Sequence, residues 1–368
     1  MRVLLCGGGT GGHVMPAIAI AEIIEKSFDN TVIAFAGRKD GDENMAYLAT
    51  GHKLYTVDIQ GLSRSLSINS IKTVFKAIRS GRFAREAILD FKPDIIIGTG
   101  GYVCFPFIRQ GQRMRIKTAI HESNVYPGLV TRLLGKRCDK LLLNHEGTLC
   151  YLGRNNNAVV VGNPIRSAFS SVKRDKARRR LGVKDGQLLV VSFGGSLGAK
   201  VMNECLIDYF SDRIDSGSNI RYIHATGRSY FDKTKADNPL LFLNREDLSI
   251  VPYIDDVPTL LTAADLAITR SGAITLSELC ASSTPSILIP SPNVSADHQY
   301  INAKYMQDNG ASVLIEEKDL TPKELKRVIT ALVNDRDHLR KMRYNAHRLH
   351  KDNTNDMIVK EVIDLLED

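Results

Sequence analysis

Two distant stretches of the chain repeat one arrangement: a short apolar strand, a glycine turn and a helix. Arg2 to Cys6 reads as a strand, Gly7 to His13 spells GGGTGGH, and Pro16 to Lys26 reads as a helix with proline in its first turn. Leu188 to Phe193, the GGSLG run from Gly194 to Gly198, and Ala199 to Phe210 follow the same order. The chain has 368 residues, enough for two domains, because single cores rarely grow past about 250–300 residues. Two similar α/β halves with glycine turns at their strand ends imply a cleft with ligands entering from both walls.

Composition narrows the class. A hydrophobic fraction of 43% and a charged fraction of 24% are those of a soluble globular protein. No apolar run reaches the roughly 18–20 residues that span a bilayer. The start, MRVLLCGGGT, offers a strand and a loop where a secretory signal needs a basic stretch and an apolar core, so a cytosolic protein is expected. The six cysteines, at 6, 104, 138, 150, 205 and 280, form no CxxC pair and sit mostly in apolar runs, which suits reduced, buried thiols. The net charge of +8 suits an anionic partner, whether nucleotide, membrane surface or nucleic acid, without choosing among them.

The stretch from Asp265 to Asn302 carries the sharpest chemistry. Leu266 to Thr269 is a short apolar strand that runs through Arg270, Ser271 and Gly272 into a helix from Ala273 to Cys280. Unpaired amides and the positive end of the helix dipole suit a diphosphate there. Glu278, about a turn and a half into the helix, can accept two O–H bonds from a cis-diol such as a ribose. The next strand, Ser286 to Pro290, leads to a polar loop with Asp297, His298 and Gln299. Ile254, just ahead of a helix at Val257, is placed to press against a planar base.

In the first half, Gly7, Gly9 and Gly12 satisfy a GxGxxG pattern, yet Val32 to Ala36 is followed by Gly37, Arg38 and Lys39 instead of the acidic residue a dinucleotide site wants. His13 stands beside the glycine loop, where an imidazole of pKa near 6.5 can take a proton from a hydroxyl; a capping or core histidine is the alternative. The GTGGY turn at 98–102 offers a second anion cradle. Glu122 and Asn124, after the strand Thr118 to His121, are candidates for gripping a substrate, with helix capping the alternative for Asn124. Asp40 and Asp42 spell DxD inside the polar run RKDGDEN, which reads as a solvated loop and not as a metal site.

Basic residues cluster twice more. From Ile68 to Phe91, Ile71, Val74, Phe75 and Ile78 mark a core-facing stripe, and Lys72, Lys76 and Arg79 mark another face that Arg82 and Arg85 extend. In VCFPFIRQGQRMRIK, Val103 to Lys117, apolar Phe105, Phe107 and Ile108 stand beside Arg109, Arg113, Arg115 and Lys117, a pattern suited to anionic lipid headgroups. Lys173 to Arg180 reads as a solvated basic helix, after a hinge at Gly162, Asn163 and Pro164.

GGGTGGH at 7–13, GTGGY at 98–102, HESN with PGL at 121–129, GNPIR at 162–166, GGSLGA at 194–199, RSGAITLSEL at 270–279 and DHQ with NA at 297–303 stand in one order. In that order, over nearly the whole chain, the sequence resembles the MurG family of peptidoglycan glycosyltransferases, within glycosyltransferase family 28. The resemblance implies an α/β, GT-B fold: two Rossmann-like domains with mainly parallel sheets facing a central cleft. Residues 1–163 would bind the acceptor and associate with the membrane, and residues 164–344 would bind UDP-GlcNAc. The C-terminal segment, about 345–368, would pack back on the first domain, its last helix near Asp356 to Leu366.

The implied activity is an inverting, metal-independent hexosyl transfer of GlcNAc from UDP-GlcNAc to the muramoyl 4-hydroxyl of lipid I, making lipid II for the cell wall. His13 and Glu122 become the base candidates. Thr10, Gly11, Gly12 and Asn124 would contact the donor, Arg166 and Ser196 the diphosphate, and Ile254 the uracil. Ala273, Ile274, Thr275, Leu276, Ser277 and Glu278 would hold diphosphate and ribose, and Gln299 a sugar hydroxyl. Thr99, Gly100, Gly101 and Tyr102 would face the acceptor's diphosphate. The family implies no cofactor and no nucleic-acid partner, peripheral residence on the cytoplasmic face of the plasma membrane, contact with an anionic membrane surface, and other cell-wall synthesis proteins as partners.

Two positions depart from the family pattern: Leu197 replaces a frequent glutamine, and the stretch after Tyr102 lacks a small, Gly-Pro-rich run. A UDP-GlcNAc 2-epimerase, another GT-B lipid glycosyltransferase and a non-catalytic sugar-nucleotide sensor are the rival readings.

Overall fold

The computed structural model describes every residue except 10, 40, 42–43, 59–68, 154–155, 196–197, 213–218, 244, 295–296 and 368, and only the backbone over 69–79. The DxD pair therefore lies outside the described residues, as do Thr10, Ser196 and Leu197. The chain divides into two compact units, Met1–Arg166 with Lys351–Asp368, and Ser167–His350. The first division falls just after the Gly162–Pro164 turn. The second falls after residue 350, so the helix Arg336–Arg348 stays with the second unit and the returning segment is shorter than 345–368.

The first unit runs β1 (Arg2–Gly7), α1 (Gly11–Ser27), β2 (Val32–Arg38), α2 (Asn44–Leu48), β3 (Lys53–Val57), α3 (Asn69–Phe91), β4 (Ile95–Gly100), α4 (Cys104–Met114), β5 (Lys117–Glu122), α5 (Leu129–Leu134), β6 (Lys140–Leu143), α6 (Leu149–Leu152) and β7 (Ala158–Val160). The second runs α7 (Ala168–Ser171), α8 (Arg174–Arg180), β8 (Leu188–Phe193), α9 (Lys200–Ser211), β9 (Ile220–Ala225), α10 (Arg228–Asp237), β10 (Leu248–Val251), α11 (Val257–Ala263), β11 (Leu266–Thr269), α12 (Ala273–Ala281), β12 (Ser286–Leu288), α13 (His298–Asp308), β13 (Ser312–Leu314), α14 (Pro322–Asn334) and α15 (Arg336–Arg348). Helix α16 (Thr354–Glu367) returns to the first unit.

Each unit holds one parallel sheet. The orders are β3-β2-β1-β4-β5-β6-β7 and β10-β9-β8-β11-β12-β13. The central strands are apolar along their whole length because helices cover both sheet faces: Val3 to Cys6, Ile95 to Ile97 and Leu266 to Ile268 are 0% exposed. Strand order reverses between β1 and β4 and again between β8 and β11. Open α/β sheets bind ligands at the carboxyl ends of such strand pairs. GGGTGGH and GTGGY follow β1 and β4; GGSLG and Arg270–Gly272 follow β8 and β11.

Helix α16 belongs to the first core by periodicity. Ile358, Val362 and Leu365 recur at i, i+4 and i+7 and pack with Leu5, Ile20 and Ile24. Lys140 Nζ binds Glu361 Oε2 at 2.7 Å beside them. Among the described residues, no helix is long and apolar enough to cross a membrane. Five cysteines are buried, Cys150 is exposed, and all six are free thiols.

Three expectations are corrected. Helix α1 begins at Gly11, not Pro16, so Pro16 lies inside it; proline φ fits a helix, but the missing N–H and the ring both act against the Gly12 carbonyl, which gets no bond from residue 16. Phe107 and Ile108 are no lipid wedges: they are 1% and 0% exposed in the core, while Arg113 and Arg115 remain outside.

The basic helix α8 is only partly solvated. Arg174 and Arg178, four residues apart and so on one face, both bind the Asp265 carboxylate, at 2.6 and 2.9 Å. They also donate to the Thr262, Ala263 and Ala264 carbonyls, which end α11 without helical partners. Asp265 accepts the Leu189 amide as well, at 2.8 Å, and so ties β8 to the start of β11.

Candidate functional site

In the second unit, α12 opens at Gly272, whose φ and ψ of −64° and 141° are extended, with no side chain capping the helix. The first intrahelical bond is Leu276 N to Gly272 O at 3.0 Å, so the Ile274 and Thr275 amides precede the ladder and point out of the helix end. The strand-to-helix turn is held from behind. Ser271 Oγ donates to Gln299 O at 2.8 Å, Arg270 donates to Ile289 O and Pro290 O at 3.1 and 3.2 Å, and the same guanidinium pairs with Glu317. Ser271, Ile274 and Leu276 side chains are buried, so these positions offer a ligand backbone only. Glu278, 8% exposed, is the carboxylate of this helix, and Gln299 Oε1 accepts the Ser291 amide at 2.9 Å.

Gly194, Gly195 and Gly198 follow β8 at the same sheet end. Gly198 has φ of +78°, and a Cβ there would lie 2.1 Å from Thr226 O, so no other residue fits without moving that strand end. Ile254 is half-buried beside exposed Tyr253, whose ring carries the Arg228 guanidinium at 4.8 Å. Asp256 caps α11 by accepting Thr259 N at 3.1 Å.

In the first unit, the β1 and β4 turns close on one imidazole. His13 Nδ1 is 3.1 Å from Gly8 O, and a carbonyl can only accept, so Nδ1 is the donor of that pair. The ring lies on the Gly100 backbone: a Cβ at Gly100 would meet His13 Cδ2 at 2.4 Å. Thr99 does not face a ligand through its side chain; it is 1% exposed and its Oγ1 donates to His13 O at 2.6 Å. Past it, Gly100 and Gly101 have φ of +116° and +80°, and the Tyr102 and Val103 amides donate to no protein acceptor among the described residues. Gly11 and Gly12 are exposed at the start of α1, and Tyr102 is 41% exposed.

Glu122 has a different environment from that of a free base. Its Oε1 accepts the Asn124 amide and Asn124 Nδ2 at 3.0 and 3.2 Å; its Oε2 accepts the Gly128 amide and Thr131 Oγ1 at 2.8 and 2.7 Å. The carboxylate is 5% exposed and saturated by its own loop. Asn124 does not cap α5, whose N-cap is Gly128; its Oδ1 accepts no protein hydrogen bond among the described residues. Asn144 Nδ2 and Thr148 Oγ1 hold the Ser123 and Asn124 carbonyls at 2.9 and 3.2 Å.

Comparison with known proteins covers both units. The glycosyltransferase family 28 N-terminal domain matches residues 3–143 and the family's C-terminal domain matches residues 189–361. A protein of Acetivibrio thermocellus called UDP-N-acetylglucosamine–N-acetylmuramyl-(pentapeptide) pyrophosphoryl-undecaprenol N-acetylglucosamine transferase is 38% identical, over 100% of this chain and 98% of its own. The protein of that name from Clostridioides difficile is 35% identical over 99% of this chain and 88% of its own. The chain belongs to the MurG family.

Among solved structures, MurG of Acinetobacter baumannii superposes with a TM-score of 0.75 at 25% identity, covering 100% of this chain and 99% of that one. A UDP-GlcNAc 2-epimerase from Neisseria meningitidis reaches 0.66 at 13% identity, covering 99% of this chain and 100% of that one, a likeness of fold alone. With its two Rossmann-like units, this MurG-family chain is a GT-B protein.

The expected residues gather into two groups, one on each unit. Gly11, Gly12, His13, Gly100, Gly101 and Tyr102 meet at the β1 and β4 ends, with Glu122 and Asn124 following β5; Ala273–Glu278 and Gln299 meet at the β11 and β12 ends. Arg166 is the last residue of the first unit, half-buried.

One surface escaped the sequence reading. Helix α5 exposes Leu129 and Leu133 at 36% and 55%, next to exposed Arg132, Lys136 and Arg137. Tyr126 packs edge-on against exposed Tyr151 at 5.1 Å. The signal was the i, i+4 leucine pair between cations, too short to stand out as an amphipathic run.

Proposed function

We propose that the chain transfers GlcNAc from UDP-GlcNAc to the muramoyl 4-hydroxyl of lipid I, making lipid II with inversion at the sugar carbon. The observation that carries this reading is a second anion-ready turn, seated against an imidazole, on the unit that does not carry α12. An enzyme that rearranges one nucleotide sugar needs one diphosphate cradle; a transferase whose acceptor is itself a lipid diphosphate needs two.

On the donor side, the α12 amides receive the UDP diphosphate and Glu278 the ribose hydroxyls, with Ile254 against the uracil and Gln299 against a sugar hydroxyl. As the bond between the sugar C1 and the diphosphate oxygen breaks, negative charge builds on UDP. Fixed amides and Arg166 stabilise that charge where other transferases use a metal. The acceptor hydroxyl forms its new bond to C1 from the opposite face and gives its proton to His13 Nε2. Tyr102 and Val103 hold the acceptor's diphosphate through their amides. Glu122 shapes the loop that presents Asn124 to the donor and takes no proton.

The α5 leucines and surrounding cations, with Arg113 and Arg115, support peripheral binding to an anionic membrane at its cytoplasmic face, where the polyprenyl tail stays embedded. Co-sedimentation with anionic vesicles should fall for Leu133→Asp; unchanged binding would remove α5 from that surface.

Product analysis tests the activity. Incubation with UDP-GlcNAc and a lipid I analogue should give a β-linked disaccharide lipid and UDP, and UDP-GlcNAc alone should stay intact. Conversion of UDP-GlcNAc alone to UDP-ManNAc would favour the epimerase.

A further inference from the structure

The glycine on which the His13 imidazole rests is bonded to a buried thiol that the proposed chemistry does not use. Cys104 is 0% exposed at the first residue of α4. Its Sγ touches both polar groups of Gly100: the Gly100 amide donates to it at 3.1 Å, and Gly100 O lies 2.9 Å away. Cys6 O, at the end of β1, lies 2.7 Å from the same sulfur. The single thiol proton is shared between two carbonyls while the sulfur accepts an amide. Gly100 has φ of +116° and leaves the β ladder there, so its peptide has no strand partner to fix it beyond the pairing with Gly7.

Gly100 is also what the imidazole rests on, close enough that even a methyl group would strike the ring at 2.4 Å. Thr99 Oγ1, one residue earlier, holds the other side of the seat through His13 O and Cys6 O, at 2.6 and 3.3 Å. We infer that Cys104 is a positioning residue for the transfer: through its bonds to Gly100 it fixes the surface on which His13 is seated. The inference rests on the reading of His13 as the base. A buried cysteine that merely packs would touch carbon; this one bonds three main-chain groups, one from β1 and two from the turn.

The test measures kcat, the KM for UDP-GlcNAc and the melting temperature in Cys104→Ala, Cys104→Ser, His13→Ala and the double variant His13→Ala with Cys104→Ala. Misplacing a proton acceptor slows the step it serves, so Cys104→Ala should lower kcat by about tenfold and leave the donor KM within about twofold. Serine keeps a donor and an acceptor at that point, and Cys104→Ser should recover kcat to within about threefold of the native value. In the His13→Ala background, removing the thiol should cost nothing further.

Native kcat in Cys104→Ala, equal losses in the alanine and serine variants, or an added loss in the His13→Ala background would each overturn the positioning role alone. Native turnover in His13→Ala would overturn the base reading, and this inference with it.

Discussion

The Glu122 carboxylate accepts the Thr131 hydroxyl at 2.7 Å, across nine residues of its own loop. With the Asn124 and Gly128 amides on the same group, it folds the turn between β5 and α5 around a buried charge. Removing it leaves several donors unpaired, so Glu122→Ala should destabilise the first unit by about 2–4 kcal/mol, measured by urea unfolding. The acid limb of its kcat–pH profile should persist. Native stability together with loss of that limb would restore Glu122 as the base.

His13 donates through Nδ1 to Gly8, and Nε2 is the ring nitrogen proposed to take the acceptor's proton. His13→Ala should lower kcat by about 10²–10⁴-fold, the usual worth of a general base, with UDP-GlcNAc affinity little changed because α12 lies on the other unit. Steady-state kinetics with a lipid I analogue checks this; unchanged kcat removes His13 from proton transfer.

Two glycines of one turn should respond differently to a methyl group. Gly195 has φ of +91° with nothing within 4 Å of a Cβ, whereas at Gly198 a Cβ would lie 2.1 Å from Thr226 O. Gly195→Ala should cost only the left-handed strain, about 1 kcal/mol. Gly198→Ala should cost more and also weaken UDP binding, since the turn must shift. Thermal melts and calorimetric titration with UDP check both; equal effects would mean that close approach is not what requires Gly198.

Both sheets and their switch points were legible because buried parallel strands are apolar runs between glycine turns: β8 and β11 fall on Leu188–Phe193 and Leu266–Thr269, as the sequence implies. What periodicity hides is the third dimension. Phe107 and Ile108 stand beside arginines in sequence but face the core, since α4 turns one face inward. Arg174 and Arg178 read as solvated because their partner, Asp265, is remote in sequence. Thr99 and Glu122 are polar groups at strand ends, as binding residues are, and only coordinates reveal that their partners lie within the protein.

Acid should weaken the fold through histidines. Burial holds His224 down to about 4, and burial with the Lys351 charge does the same to His145, from 6.5. Between those values the unfolded chain binds protons that the folded one does not. Their contribution is therefore complete above pH 6.5 and is lost as pH falls toward 4, by roughly 3 kcal/mol per imidazole. Melting temperatures from pH 7 to 4 should fall, and less steeply in His224→Gln; a slope identical to that of the native chain would contradict this.

Where UDP binds decides the account, because both units carry a glycine turn at a strand switch. Crystals soaked with UDP should show its diphosphate on the Ile274 and Thr275 amides, its ribose hydroxyls on Glu278 and its uracil at Ile254. Density for UDP on the GGGTGGH turn of the first unit, with the α12 end empty, would contradict it.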